Sequence, residues 1–251
     1  LALLDTLIDD EAACGMMGDV RNDRLGDNPF PVAIGLAADA DHQHIRNVVN
    51  AGFDSVLLTP FNLGKLKNQV GFFKRERKPF VATAEYVGPD RRNGAREDAT
   101  SARHIVVPNP VRLINDGFSR ESVLSQIQNA RAELAEEKVE RDLSGIGWIA
   151  DKICRTHLLG VQNPATEELF NHLERMSGDI VHRVPQTIYA PAIEECQALA
   201  KLVEQIIAGG ESPKCADIEK LPHAVKKAKA AIDMATTTDI DVCRLEPVCS
   251  A

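Results

Sequence analysis

The sequence predicts an α/β unit with a parallel sheet, followed by an extended linker and then an all-α helical bundle. In residues 1–74, short apolar runs alternate with amphipathic segments, as strands alternate with helices in α/β proteins. Proline and glycine punctuate residues 75–118, which show little helical periodicity. From residue 119 onward, apolar residues recur at spacings of three and four, which is typical of helices with one buried face.

The clearest α/β signal lies in residues 31–61. Residues 32–36 form an apolar run without polar alternation, which suits a strand covered on both faces. Asp39 or Asp41 can cap the amphipathic helix that follows, and residues 55–58 form a second apolar run. A strand, a helix and a strand of these lengths form a unit whose two strands are parallel.

Two flanking segments extend this pattern to three strands and three helices. Residues 1–4 form an apolar run that ends at Asp5, and residues 11–20 can form a helix. Downstream, residues 63–74 place apolar side chains at spacings of three and four, so a third amphipathic helix is predicted there. The expected order is therefore strand, helix, strand, helix, strand, helix.

This order, together with the segment NAGFDSVLLTPF, resembles the second half of a response-regulator receiver domain, the flavodoxin-like module of two-component signalling. The resemblance covers residues 1–74. It implies that Asp5, which follows the run LALL, stands where the family carries its phosphoacceptor aspartate. Leu36 then replaces the family's serine or threonine, and Thr59, which precedes Pro60, replaces its lysine.

The two replacements weaken the chemistry that the resemblance implies. A phosphoryl group concentrates negative charge, which the family's lysine compensates while the hydroxyl donates a hydrogen bond. Leu36 offers neither group, and Thr59 offers a hydroxyl without charge. The family also binds Mg²⁺ through an acidic pair on its first strand, whereas Asp9 and Asp10 lie on a different loop. The resemblance therefore implies that the front half of such a domain precedes this chain.

Two main functions follow from these residues. The favoured one is a non-catalytic signalling or scaffold protein, a pseudo-receiver that acts through a protein partner or a second copy, without catalytic residues, metal or cofactor. The alternative is a phosphorelay response regulator in which Asp5 accepts a phosphoryl group with the help of Mg²⁺. A third hypothesis is an enzyme with its site in the crevice at the carboxyl ends of the strands.

Residues 75–118 are predicted to be an extended linker. Residues 80–87 alternate as a strand does, and residues 104–107 are a second candidate strand. The elements RKPFV and GPDRR resemble a linker motif of a group of alphaproteobacterial receiver proteins. The Gly-Pro turn presents Arg91 and Arg92, which can bind a carboxylate or phosphate of a partner. The favoured alternative is an ordered connector whose arginines pair with neighbouring acids, namely Asp90, Glu97 and Asp98.

The helical region is assigned to residues 119–235 as an antiparallel four-helix bundle. Its first stretch is one long helix or two helices joined near Gly145 and Gly147. The other three helices are expected to begin near residues that favour helix starts, namely Asn163 and Pro164, Pro191, and Pro222 or a turn earlier. Residues 236–251 are predicted to be a tail without periodicity, disordered or docked in extended form.

Histidine and tryptophan give weaker signals. His42 and His44 lie two residues apart, a spacing that suits chelation from one helical face poorly, so exposed polar side chains are expected. Trp148 is the only tryptophan, and we expect it to anchor a core or an interface.

Composition disfavours several classes of function. A formal net charge of -8 over 251 residues disfavours nucleic-acid binding. No apolar run approaches the roughly 18 residues of a membrane-spanning helix, so membrane insertion is not expected. The six cysteines show no CxxC pair or other metal-ligand spacing, which favours free thiols in a reducing cytoplasm.

Overall fold

The computed structural model of the chain describes residues 1–38, 41–91, 103–158, 166–209 and 215–245. The chain divides into two compact units, residues 1–134 and residues 135–251. Among the described helices, none is both long enough and apolar enough to cross a membrane.

The first unit contains a three-stranded parallel sheet with helices, as the sequence predicts, and an antiparallel hairpin. Its elements in chain order are β1 (Ala2–Asp5), α1 (Asp10–Arg21), β2 (Ala33–Ala38), α2 (His42–Asn50), β3 (Ser55–Thr59), α3 (Leu63–Phe73), β4 (Phe80–Ala82), β5 (Val87–Pro89), α4 (Pro110–Asn115) and the start of α5 (Arg120–Leu158).

Strand β2 lies at the centre of the sheet, in the order β1-β2-β3. Its side chains alternate between the two faces of the sheet. Ala33 packs with Met17 of α1 and Val48 of α2. Ile34 packs on the opposite face with Phe73 of α3. Helices therefore cover both faces of β2, which explains why its sequence reads as an apolar run without alternation.

The helices of this unit begin at side-chain caps. Asp9 accepts a hydrogen bond from the backbone N–H of Ala12 at the start of α1, and Asn62 caps α3 in the same way. At α2 the cap is Asp41, whose carboxylate accepts from the backbone of His44 at 2.9 Å. The sequence left Asp39 and Asp41 as alternatives, and Asp39 lies outside the described residues. Each cap satisfies backbone donors that a helix leaves unpaired at its start.

The segment predicted to be an extended linker contributes to the core of the first unit. The predicted strand over residues 80–87 is wrong in its extent, because β4 and β5 form a hairpin with a turn at Thr83. The second candidate strand, residues 104–107, reduces to one bridge in which Ile105 exchanges backbone hydrogen bonds with Phe80. Both residues are fully buried in one apolar cluster, whose members include Phe30, Val87, Val107, Val123, Ile127 and Leu134.

The second unit is helical. It contains the rest of α5, followed by α6 (Thr166–Arg183), α7 (Ile193–Ala208) and α8 (Cys215–Leu245), with short 3₁₀ turns at Val184–Gln186 and Ala190–Ala192. Helix α5 continues through Gly145 and Gly147, so the two-helix alternative is wrong. Helix α7 contacts both α6 and α8. The start predicted at Asn163 and Pro164 lies outside the described residues.

Helix α8 differs most from the sequence prediction. It begins at Cys215, about two turns before Pro222, and it continues to Leu245 through residues predicted to be an irregular tail. Ile232 and Ala235 are buried on its inner face. The three threonines that follow, residues 236–238, gave no helical signal in the sequence, because threonine favours strands and does not continue the spacing of apolar residues. Thr236 instead donates to the Ile232 carbonyl at 3.0 Å, within the helix.

Candidate functional site

The carboxyl end of the parallel sheet brings the predicted switch residues together. Asp5 ends β1 and lies directly opposite Leu36 in the β1-β2 register. Thr59 ends β3 opposite Ala38, two residues further along β2. The order of three parallel strands therefore places these three positions at the same end of the sheet, where open α/β sheets bind ligands.

The Asp5 side chain is exposed, whereas the Leu36 side chain packs in a cluster and the Thr59 side chain is hydrogen-bonded. Its carboxylate accepts a hydrogen bond from the backbone N–H of Leu7 at 3.0 Å and forms no ion pair with any described residue. The Leu36 side chain is half-buried against the apolar cluster between β2, β3 and α3. The Thr59 hydroxyl donates to the Ala37 carbonyl at 3.2 Å, and Pro60 after it is exposed. None of these side chains offers Asp5 a positive charge.

A hydrogen-bonded network beside Asp5 was missed by the sequence analysis. The Thr6 hydroxyl lies 2.7 Å from His44 Nε2, and His44 Nδ1 lies 3.5 Å from the Asp10 carboxylate. The prediction that His44 is an exposed polar residue is therefore wrong. Its partners lie directly after β1 and at the start of α1, more than thirty positions away, and spacing within α2 carries no information about them.

The hydroxyl, imidazole and carboxylate of this network have the composition of a nucleophilic relay. Burial argues against that chemistry, because the Thr6 side chain is 0% exposed and its hydroxyl donates to the Leu36 carbonyl. A substrate has no access to this oxygen. The network instead connects β1, α1 and α2 at the carboxyl end of the sheet.

Asp10 is the carboxylate of this network, and other side chains also donate hydrogen bonds to it. It accepts hydrogen bonds from Asn47 at 3.0 Å and from the Cys14 thiol at 3.1 Å. The hydrogen bond from Asn47 is the main reason that the pKa of Asp10 lies below its usual value. Burial raises the pKa of Cys14 to about 12, so this thiol is not a nucleophile at neutral pH. Within the described ranges, no three His, Cys, Asp or Glu side chains are grouped to hold a metal ion.

The amino end of the sheet contains a buried charge cluster, which we call the Asp54 cluster and which consists of Asp54, Arg21 and Arg77. Asp54 precedes β3, and its carboxylate accepts from Arg21 at 2.9 Å and from Arg77 Nε at 2.7 Å. It also accepts from the backbone N–H of Ala33 at the start of β2. The remaining guanidinium hydrogens donate to backbone carbonyls, including those of Gly52, Pro29, Phe30, Pro31 and Pro108.

Both guanidinium groups also lie against the ring of Phe80. The Cζ atoms of Arg21 and Arg77 are 5.0 Å and 4.8 Å from the ring centroid. Such contacts attract each cation to the negative face of the ring. Burial lowers the pKa of Arg21 to about 10, which still leaves the side chain charged at neutral pH. The Asp54 cluster thus connects α1, β2, β3 and the β4-β5 hairpin.

Residues 88–91 lie against this end of the sheet. A Cβ on Gly88 would lie 2.9 Å from Gly52 Cα, so only glycine permits the close approach of the two backbones. The Arg91 guanidinium donates to the Phe53 carbonyl, and Asp90 contacts His104 Nε2 at 2.6 Å rather than pairing with Arg91. Arg92, Glu97 and Asp98 lie outside the described residues.

The second unit buries another charge cluster, formed by Lys138 and Asp142 of α5 with Asp179 and Arg183 of α6. Lys138 Nζ lies 2.5 Å from the Asp142 carboxylate and 3.8 Å from that of Asp179. All four residues are buried. Burial raises the pKa of Asp142 to about 6 and lowers the pKa of Lys138, so the low dielectric disfavours both charges.

Trp148 of α5 is exposed, so the core alternative of its prediction is wrong, whereas an interface role stays a prediction. Its side chain is 62% exposed, and Lys152 Nζ lies 4.8 Å from the ring centre. The i to i+4 spacing places the ammonium group over the ring.

Comparison with known proteins found no match among family models, curated proteins or solved structures. The resemblance to receiver domains therefore rests on the quoted residues and on the order of the strands and helices. Function has to be argued from the geometry at the two ends of the sheet.

Proposed function

We propose that residues 1–74 form a receiver-like module without phosphorelay activity, and that the protein acts as a signalling or scaffold protein through protein–protein interaction. The observation that carries this proposal is the environment of Asp5. The carboxylate is exposed at the carboxyl end of a parallel sheet, beside the apolar Leu36 and without a cation among the described residues.

Electrostatics explains why this environment disfavours phosphorylation. A phosphoryl group on Asp5 would add negative charge to a chain that already carries a formal net charge of -8. The Asp9 carboxylate accepts from the backbone of Ala12 in α1, and the Asp10 carboxylate accepts from the Asn47 side chain in α2. Both carboxylates are therefore already engaged in hydrogen bonds. The added charge would have no compensating partner in the described structure.

Incubating the full chain with acetyl phosphate and Mg²⁺ is expected to leave its intact mass unchanged. The physical reason is that no described side chain offers Asp5 a cation to compensate the added charge. Intact-mass spectrometry measures the outcome, with Asp5→Asn as the matched variant. A phosphoryl mass that appears in the wild type and disappears in Asp5→Asn would establish the alternative function, a phosphorelay response regulator.

The exposed apolar side chains near β1 support a role in protein interaction. Strand β1 pairs only with β2 among the described strands, so no described strand covers its other side. Leu3 of β1 and, in the loop after it, Leu7 and Ile8 are 44%, 45% and 85% exposed. Open edges with apolar side chains favour pairing with another chain.

Replacing Ile8 with lysine is therefore expected to reduce association of the full chain. Lysine at this exposed loop position after β1 opposes burial in an interface because its charge would have to be desolvated. Light scattering over a range of concentrations measures the mean mass, and Val106→Lys, at an 81% exposed position, is the matched control. A wild type that stays monomeric throughout would contradict self-association through this edge.

A further inference from the structure

A cavity of about 200 Å³ lies at the amino end of the sheet, beside the Asp54 cluster. Its lining is formed by Asp54 and Ser55 at the start of β3, by Phe72 and Phe73 at the end of α3, and by Lys78, Pro89 and Arg91. The cavity lies at the opposite end of the sheet from Asp5, so a ligand bound there is independent of the function proposed for Asp5.

We propose that this cavity is a binding site for a phosphate group, held by Arg91, Lys78 and Ser55. The lining residues carry a net positive charge. Asp54 is the only acidic residue among the described lining residues, and its carboxylate is already shared between Arg21 and Arg77. Arg91 and Lys78 therefore add two positive charges to a site whose single negative charge is neutralised.

Neither of these two cations has an acidic partner among the residues that the structure describes. Arg91 and Lys78 form no ion pair with any residue in the described part of the chain. The Nε atom of Arg91 is buried and donates to no described atom. A buried donor without an acceptor is costly, and an anion in the cavity would supply that acceptor.

The third donor is the Ser55 hydroxyl. The Gln69 side-chain amide donates to the Ser55 oxygen, which leaves the hydroxyl proton free to donate elsewhere. Arg91 contributes its Nε–H, Lys78 an ammonium group on a flexible stem and Ser55 a single proton. A tetrahedral oxyanion has enough acceptors for all three donors, and charge-assisted hydrogen bonds to phosphate are among the strong ones.

Thermal unfolding of the full chain in phosphate, chloride and acetate buffers of equal ionic strength tests the proposal. We expect millimolar phosphate to raise the Tm and the other two anions to leave it unchanged. Calorimetric titration with inorganic phosphate should show about tenfold weaker binding for Arg91→Gln and for Lys78→Gln, the effect of losing one charge-assisted hydrogen bond. O-phosphoserine and adenosine monophosphate then distinguish a protein-borne phosphate from a nucleotide phosphate.

Two lysine variants separate loss of the site from loss of folding and from general loss of charge. Lys78 is exposed, so Lys78→Gln should remain folded even where Arg91→Gln does not. Lys74→Gln removes a neighbouring exposed lysine outside the cavity and should bind phosphate as the wild type does. An equal rise in Tm for all variants would be general salting-out and would overturn the proposal. An equal response to acetate would overturn the assignment to phosphate.

Discussion

Replacing Asp54 with asparagine is expected to lower the local stability of the first unit by about 3–5 kcal/mol, the cost of leaving buried charges without their partner. Asparagine keeps the size of the side chain and removes its charge. Arg21 and Arg77 would then remain as two cations against the Phe80 ring, with exposed side-chain fractions of 0% and 2%. Their mutual repulsion adds to the lost attraction.

Hydrogen exchange measured by mass spectrometry localises this effect. Amides of β2 and β3 should exchange faster in Asp54→Asn, because the Asp54 carboxylate also binds the backbone of Ala33. Asp19→Asn is the matched control, since its 3.9 Å contact with Arg24 is solvent-exposed and worth less than about 1 kcal/mol. Unchanged exchange in β2 and β3 would show that the Asp54 cluster does not hold the sheet together.

The local part of this fold could be predicted because its signals are local. A helix cap such as Asp41 or Asn62 contacts residues two or three positions away, and β2 and β3 are short apolar runs. Both kinds of signal can therefore be read directly from the sequence. The same reasoning placed Asp5 and Leu36 at one end of the sheet, since parallel strands align their carboxyl ends.

Contacts between distant residues could not be predicted in this way. Asp54 lies 33 residues from Arg21 and 23 from Arg77, and His44 lies 38 residues from Thr6. Nothing in the periodicity of α1 or α2 indicates these partners. A charged residue directly before a buried strand, as in GFDSVLL, was the one available signal for the Asp54 cluster.

Replacing Lys138 with methionine is expected to destabilise the second unit by about 3–5 kcal/mol, whereas the double variant with Asp142→Leu should recover most of the loss. The single variant leaves Asp142 buried without its nearest cation, 2.5 Å away in the wild type. In the double variant Asp179 and Arg183 remain, and their charges are opposite. Apolar pairs of similar volume replace buried ion pairs at little cost.

The cost of Lys138→Met should also depend on pH. Burial already raises the pKa of Asp142 to about 6, above its value in an unfolded chain. Its stabilising contribution is therefore complete at low pH and is lost as the pH rises through about 6. Without Lys138 the carboxyl pKa rises further, so the single variant should be closer to the wild type in mildly acidic buffer than at neutral pH.

Urea denaturation followed by circular dichroism measures these free energies, and hydrogen exchange of α6 locates the loss in the second unit. Arg155→Gln is the control, because its 2.8 Å pair with Asp151 is exposed and worth less than about 1 kcal/mol. If the double variant were as unstable as the single one, the loss would come from packing around Lys138 rather than from an unpaired carboxylate. If the cost were the same at both pH values, Asp142 would not be the group that Lys138 neutralises.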